Sequence, residues 1–237
     1  MSGLPDSTNE KSRFTENMFL DITEKFSVFQ SQNKYYRDSI MVSGNINLSG
    51  LPKPKISFSV VKNKLTREIC YRNSFGTEHF QYFSPIDSVQ WELLTDTVHI
   101  AGFNCHKAQT ILGGRQYTAW YTTEIPISDG PYKFCNLPGL IIELSDTKNH
   151  YSFKLTGIYT DNISFSFADR LEYTTVTRKQ YLQYADNIKK HPEVLFQLPP
   201  GTTITSANGD SINTAIQNRV EKLREQYKKN NNPLEFF

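Results

Sequence analysis

The sequence predicts an α+β fold that is mainly β: one large curled antiparallel sheet, half-barrel-like, with two C-terminal helices packing on or in its concave face. Three observations predict it. Short runs rich in Val, Ile, Thr, Tyr and Phe recur along most of the chain, parted by Asn, Asp, Gly or Pro. Aromatic residues are abundant, with 16 Phe, 13 Tyr and 2 Trp in 237 residues. Helical periodicity is confined to the last quarter. Charge is nearly balanced, 26 basic against 24 acidic residues, which argues against a dedicated nucleic-acid binder with its basic stripe. No apolar stretch is long enough to cross a membrane as a helix.

Residues 1–14 read as a flexible N-terminus. They lack a basic stretch leading into an apolar one, so no secretory signal is legible, as in a mature chain. Strands are expected at 18–22 and 26–30, whereas 34–42 suits a short helix or a turn equally. Ser49-Gly50, Pro52 and Pro54 mark 45–55 as a loop. Ile56, Phe58 and Val60 share one face of the next strand, and 68–74, 80–83, 89–94, 98–100, 104–112 and 116–122 continue the meander. Beyond a loop, 140–144, 150–159 and 163–167 alternate polar and apolar positions. Tyr151, Phe153 and Leu155 share a face; Ser164, Ser166 and Ala168 lie opposite Phe165 and Phe167. Residues 172–176 would be the last strand of a sheet spanning 18–176. About nine strands or more cannot stay open and flat, hence the expected curl.

The first helix occupies 177–191. Thr177 and Gln180 fit a capping box, in which the hydroxyl accepts one orphan amide and the glutamine reaches back. Tyr181, Leu182, Tyr184, Ala185 and Ile188 form its apolar stripe, and His191-Pro192 ends it. The second occupies 211–229, with Ile212, Ile216, Val220, Leu223 and Tyr227 on one face and charges of both signs on the other. Leu198-Pro199-Pro200-Gly201 opens a turn-rich connector between them. The whole chain, 1–237, is expected to form a single domain.

Catalytic signatures are missing. There is no phosphate-binding loop, dinucleotide fingerprint or nucleophile elbow, and the five histidines are scattered away from metal-ligand spacing. No metal or cofactor is implied. Cys70, Cys105 and Cys135 cannot all pair within one chain, and no CxxC occurs. Cys105 and His106 are strand neighbours and must point to opposite faces. Glu124 and Asp129 flank a loop without defining a site.

The densest stretch is 117–144. An aromatic strand (Tyr117, Trp120, Tyr121) runs into a loop punctuated by Pro126, Gly130-Pro131 and Leu137-Pro138-Gly139. Pro138-Gly139 suits the centre of a type II turn, where glycine supplies positive φ. The candidate binding rim is therefore Trp120, Tyr121, Pro126, Gly130, Pro131, Leu137, Pro138 and Gly139; the alternative is a rigid loop packed for stability.

This stretch resembles the GLPGLI family, Bacteroidota proteins without an established function. The resemblance rests on Asn136-Leu137-Pro138-Gly139-Leu140-Ile141, with Asn136 where the hexapeptide begins with glycine and Cys135 where a further glycine is common. It extends to 101–108, 117–121, 126–131, Leu20-Asp21-Ile22 and Asn232-Pro233-Leu234-Glu235. Because members usually begin with a signal peptide, the resemblance implies a periplasmic or secreted protein. That compartment also makes a Cys105–Cys135 disulfide, or redox-active thiols, worth considering. No catalytic residues transfer.

Three readings follow. The first is an extracytoplasmic binding or carrier module whose concave aromatic face holds an apolar or peptide ligand. The second is a structural or interaction protein of the cell envelope acting through the 126–141 loop or a sheet edge on an unknown partner. The third is a Cys-dependent enzyme.

Overall fold

Two meanders, not one, organise the strands. In the computed structural model, residues 1–42, 48–160, 171–196 and 212–235 are described. They form β1 (Ser2–Gly3), β2 (Phe14–Thr15), β3 (Met18–Ile22), β4 (Phe26–Ser31), α1 (Gln32–Val42), β5 (Ser59–Asn63), β6 (Glu68–Phe75) and β7 (Glu78–Pro85). Then come β8 (Glu92–Ile100), β9 (Phe103–Leu112), β10 (Arg115–Thr122), β11 (Leu140–Asp146), β12 (Tyr151–Lys154), β13 (Thr174–Thr175), α2 (Arg178–Lys190) and α3 (Ile212–Lys229). The α+β, mainly β class is the one expected. Its strands divide between a seven-stranded sheet, β2-β1-β12-β11-β10-β9-β8, and a six-stranded sheet, β13-β7-β6-β5-β4-β3.

The single curled sheet is thus replaced by two, and the reason is strand number. An open, twisted sheet rarely grows past about ten strands before it splits into packed layers. The division falls after Pro85, where Ile86–Ser88 forms a short 3-10 turn instead of continuing β7 into a neighbour. Among the described residues all pairings are antiparallel except β13 on β7. Two further expectations change. Residues 1–14 are not a loose end, since β1 pairs with β12 and β2 and Leu4 is buried. Residues 34–42 are helical, with Tyr35 and Tyr36 of α1 edge-on to Phe19 of β3. The strand expected at 163–167 lies outside the described residues.

The sheets share a core. Phe29, Val60, Tyr71 and Tyr82 form a cross-strand row on one inner face. Ala108, Ala119, Leu144 and Phe153 form the facing row. Phe29 and Phe153 meet across the gap with ring centroids 5.9 Å apart. Burying each such side chain stabilises by roughly 1.5–3 kcal/mol. The Ala108–Ala119 pair presents no bulk, and loop residues Tyr132, Phe134, Cys135 and Leu137 complete the same core. Tightness of the hairpin behind this row comes from Gly113 and Gly114, both at positive φ in a two-residue turn.

Helix α2 is capped as the sequence predicts: the Thr177 hydroxyl accepts from the Gln180 amide, and the Gln180 side chain accepts from the Thr177 amide. Its Tyr181 joins the core against Tyr71 and Tyr82. The two C-terminal helices do not line a shared concavity. α2 packs along β7, while α3 packs on α2 and the 3-10 segment Pro192–Phe196.

Candidate functional site

The loop between β10 and β11 plugs the core with the middle of its length. Tyr132, Phe134, Cys135 and Leu137 are all buried. Phe134 packs against Tyr117 at 4.8 Å and Trp91 at 5.9 Å. The Trp91 indole N–H donates to the Cys135 carbonyl (2.7 Å), and the Asn136 side-chain amide donates to the Ile86 carbonyl (2.8 Å). Both bonds tie the loop to the turn that separates the sheets. Lys62 of β5, 1 % exposed, anchors it from the other sheet. Its ammonium donates to the Asp129 carboxylate (2.5 Å), the Gly130 carbonyl (2.5 Å) and the Phe134 carbonyl (3.2 Å). All three of its N–H donors are thereby used. That completeness is what makes a buried cation tolerable.

The backbone of the loop explains its sequence. Asn136 sits at φ 70°, the left-handed region that asparagine tolerates better than most residues, where the hexapeptide carries glycine. Gly139 is not at positive φ, so the expected type II turn does not form. Its requirement is proximity: a Cβ there would lie 1.9 Å from the Thr122 carbonyl oxygen.

The predicted rim residues scatter accordingly. Tyr121, Gly130, Leu137 and Gly139 are buried, Pro131 is half-buried, and Pro126 and Pro138 are exposed. Trp120 lies on the opposite face of the seven-stranded sheet from Tyr121. It packs there with Cys105, Leu140 and Ile142 while the Lys107 ammonium sits 5.7 Å over its ring. A bulge opposite Trp120 and Tyr121 inserts Ile142 into that outer cluster. As the strand alternation requires, His106 faces inward against Tyr121, away from Cys105.

The Cys105–Cys135 disulfide is not formed. All three cysteines are free and buried, and Cys105 and Cys135 belong to clusters on different faces of one sheet. Burial pushes the Cys135 thiol up to about 11 and raises Cys105 as well. Nucleophilic thiols need the opposite shift. Among the described residues no group of three or more His, Cys, Asp or Glu is placed to hold a metal ion.

Open clefts occur beside the loop and between the C-terminal helices. One of about 300 Å³ lies beside the loop, bordered by Lys64, Arg67, Ile86, Pro126, Ile127 and Asn136 over Lys62 and Asp129. Its cations are engaged: Lys62 as above, Lys64 on the Thr23 carbonyl (2.8 Å) and Arg67 on Asp87 (2.5 Å). Another lies among Lys189, Lys190, Arg224, Tyr227 and Lys228, with Lys190 paired to Asp186 and Arg224 to Glu193. Lysines in last helical turns balance the helix dipole. The first cleft reaches Ile86 and Cys135 at the margin of the core. The space between the sheets is occupied by stacked aromatics, Tyr71 on Tyr82 at 5.0 Å among them.

The edge of the seven-stranded sheet is different. β8 pairs with β9 alone among the described residues, and most of its positions are exposed on both faces. Leu93 is 56 % exposed, Val98 39 % and Ile111, next door on β9, 71 %. A register shift interrupts the regular pairing between Leu93 and Thr97, and Asp96 pairs with Lys107 at 3.5 Å.

A second buried lysine and a buried arginine escaped the sequence reading. Lys133 pairs with Glu235 (2.5 Å) and donates to the Tyr82 hydroxyl (3.0 Å), and Arg115 pairs with Asp146 (2.7 Å). Burial lowers the Lys133 ammonium, opposed by the carboxylate of Glu235. Burial would raise Glu235, but Lys133, the Tyr132 hydroxyl and Arg178 outweigh it and hold its carboxyl below the ordinary value. The only signals in the sequence were Lys62 at an inward strand position and Lys133 between two aromatics.

Comparison with known proteins agrees with the resemblance stated above. Residues 114–143, covering β10, the plug and most of β11, match the family described as "Protein of unknown function (Porph_ging)". No curated protein matches the chain. Among solved structures, two of PNGF-II, in the P21 and C2 space groups, share the fold at 13 % identity and a TM-score of 0.56. The likeness covers 71 % of this chain and 29 % of that one in the first, 84 % and 34 % in the second. The chain thus spans about a third of the length of those proteins.

Proposed function

We propose that the protein is a non-catalytic, extracytoplasmic interaction module that engages an envelope partner by strand addition at the free edge of β8. One observation carries the reading. β8 is nine residues long, has an unpaired outer edge among the described residues, and exposes Leu93 and Val98 along it. Such an edge offers a ladder of unmet backbone groups, and apolar side chains beside it supply the contact that holds an added strand. Glu92, Asp96 and His99 on the same strand, and the register shift after Leu93, restrict which segments can pair there.

The carrier reading loses its main support, because the aromatic surplus that suggested a ligand-lined concavity packs against itself between the sheets. The extracytoplasmic location rests on the family resemblance. The test is affinity purification of the tagged full chain from its own cells, wild type beside Val98→Lys. A reproducible partner recovered with wild type and lost with Val98→Lys, at unchanged melting temperature, is the expected result. A partner recovered equally well with both would refute the assignment to β8.

A further inference from the structure

After α3 the chain doubles back and lays residues 232–235 against the seven-stranded sheet, where one backbone bond, from the Asn232 N–H to the Pro5 carbonyl (3.0 Å), and a set of side chains hold them. Three consecutive carbonyls are read by side chains and not by a neighbouring strand. The Asn232 carbonyl accepts from the Tyr151 hydroxyl (2.5 Å), that of Pro233 from the Arg115 guanidinium (2.7 Å), and that of Leu234 from the Tyr117 hydroxyl (2.6 Å). Arg115 also donates to the Asn232 side-chain oxygen (2.6 Å), while the Asn232 amide donates to the Leu4 carbonyl (2.6 Å). Three residues on, the Glu235 carboxylate receives Lys133 (2.5 Å), Tyr132 (2.7 Å) and Arg178 (3.2 Å). The backbone approaches so closely that a Cβ on Gly113 would lie 2.3 Å from the Glu235 Cβ.

These groups meet backbone carbonyls, a side-chain amide and a carboxylate, chemistry that any peptide bent in the same way would offer, and covalent attachment adds only a high local concentration. Asn231 is tied to Ser7 and Asp6, but the helix before it is lightly held: Val220 is the one buried side chain among those described in α3. Elements with little burial open at low cost. With the segment lifted, Lys133 and Arg178 present two cations to whatever carboxylate arrives.

We propose that this slot is a peptide-binding site, filled in cis by residues 232–235. Its ligand class is an acidic peptide that bends at its glutamate, as the chain does at Leu234 and Glu235, with a side-chain amide three residues before that glutamate. The chain's own segment is then a competitor that a partner segment of the same chemistry displaces. This site is separate from β8 and stands whether or not the edge binds a partner.

The experiment titrates a fluorescein-labelled synthetic peptide, Asn-Asn-Pro-Leu-Glu-Phe-Phe, into the full chain as wild type and as Glu235→Gln, followed by anisotropy. Glu235→Gln weakens the competitor and leaves the slot intact, so it should bind the peptide at least roughly tenfold tighter than wild type. A peptide with glutamine in place of its glutamate should bind roughly tenfold more weakly than the parent. A folded Glu235→Gln chain that binds no peptide, or binds both peptides alike, overturns the proposal. If Glu235→Gln gives no cooperative melt, Asn232→Ala is tested in its place, with the same expectations and the same contrary results. If neither variant folds, the segment is an integral part of the core and the proposal falls.

Discussion

The loop at 126–139 and the strand β8 invert what their sequences suggest. The loop carries the prolines, the aromatics and the family hexapeptide, yet its aromatic and apolar side chains Tyr132, Phe134, Cys135 and Leu137 are buried while Pro126 and Pro138 stay exposed. β8 reads as two short strands, 89–94 and 98–100, yet it is one continuous edge strand whose Leu93 and Val98 face water. Proline and aromatic density therefore marks where the backbone must be rigid and the core filled. Exposure of an apolar strand edge is a property of topology, set by which strand comes last in the sheet.

Variants can break that contrast, and the largest effect is expected inside the plug. Lys62→Met leaves the Asp129 carboxylate buried and unpaired and should cost about 3–5 kcal/mol in denaturant unfolding. A loss below about 1 kcal/mol would mean that the loop does not depend on this anchor. Gly139→Ala forces a methyl group onto the Thr122 carbonyl oxygen, and a cost of about 3 kcal/mol is expected from a clash with backbone that cannot rotate away.

Acid should act next, through Glu235. Its carboxyl is held below the ordinary 4.5 in the folded chain, so the unfolded chain takes up the proton first. The resulting stability is complete above about pH 4.5 and is lost as pH falls through the folded value. Thermal melts between about pH 5 and about pH 3 should therefore fall more steeply for wild type than for Glu235→Gln. Parallel curves would remove Glu235 from the account.

Smaller effects sharpen the comparison. Asn136→Ala keeps φ 70° without the side chain that suits it and loses the bond to Ile86, at a cost of about 1–3 kcal/mol. Val98→Lys on β8 should change stability by no more than about 0.5 kcal/mol, as exposed positions do.

Much of this was legible in the sequence, and the failures have physical causes. The strand at 18–22, the helix at 178–190 with its Thr177–Gln180 cap, and the opposed directions of Cys105 and His106 follow from local rules, and the structure has them. The division into two sheets was not legible, because the spacing between strands is the same within a sheet as across its boundary. Only the 3-10 turn after Pro85 marks the break. The buried ions were invisible for another reason. A lysine in a strand reads as solvated until its partner is known, and Asp129 lies 67 residues from Lys62 while Glu235 lies 102 from Lys133. The type II turn failed because Pro-Gly signals a turn without saying whether the glycine is needed for its φ or for its lack of a side chain.

The most direct test places a photo-crosslinking amino acid at position 98 on β8 or at the exposed position 138 of the loop, in the full chain expressed in its own cells. The account predicts a discrete adduct with one partner from position 98 and none from position 138. Adducts from position 138 with nothing at position 98 would contradict it, returning recognition to the loop and leaving β8 a solvated edge.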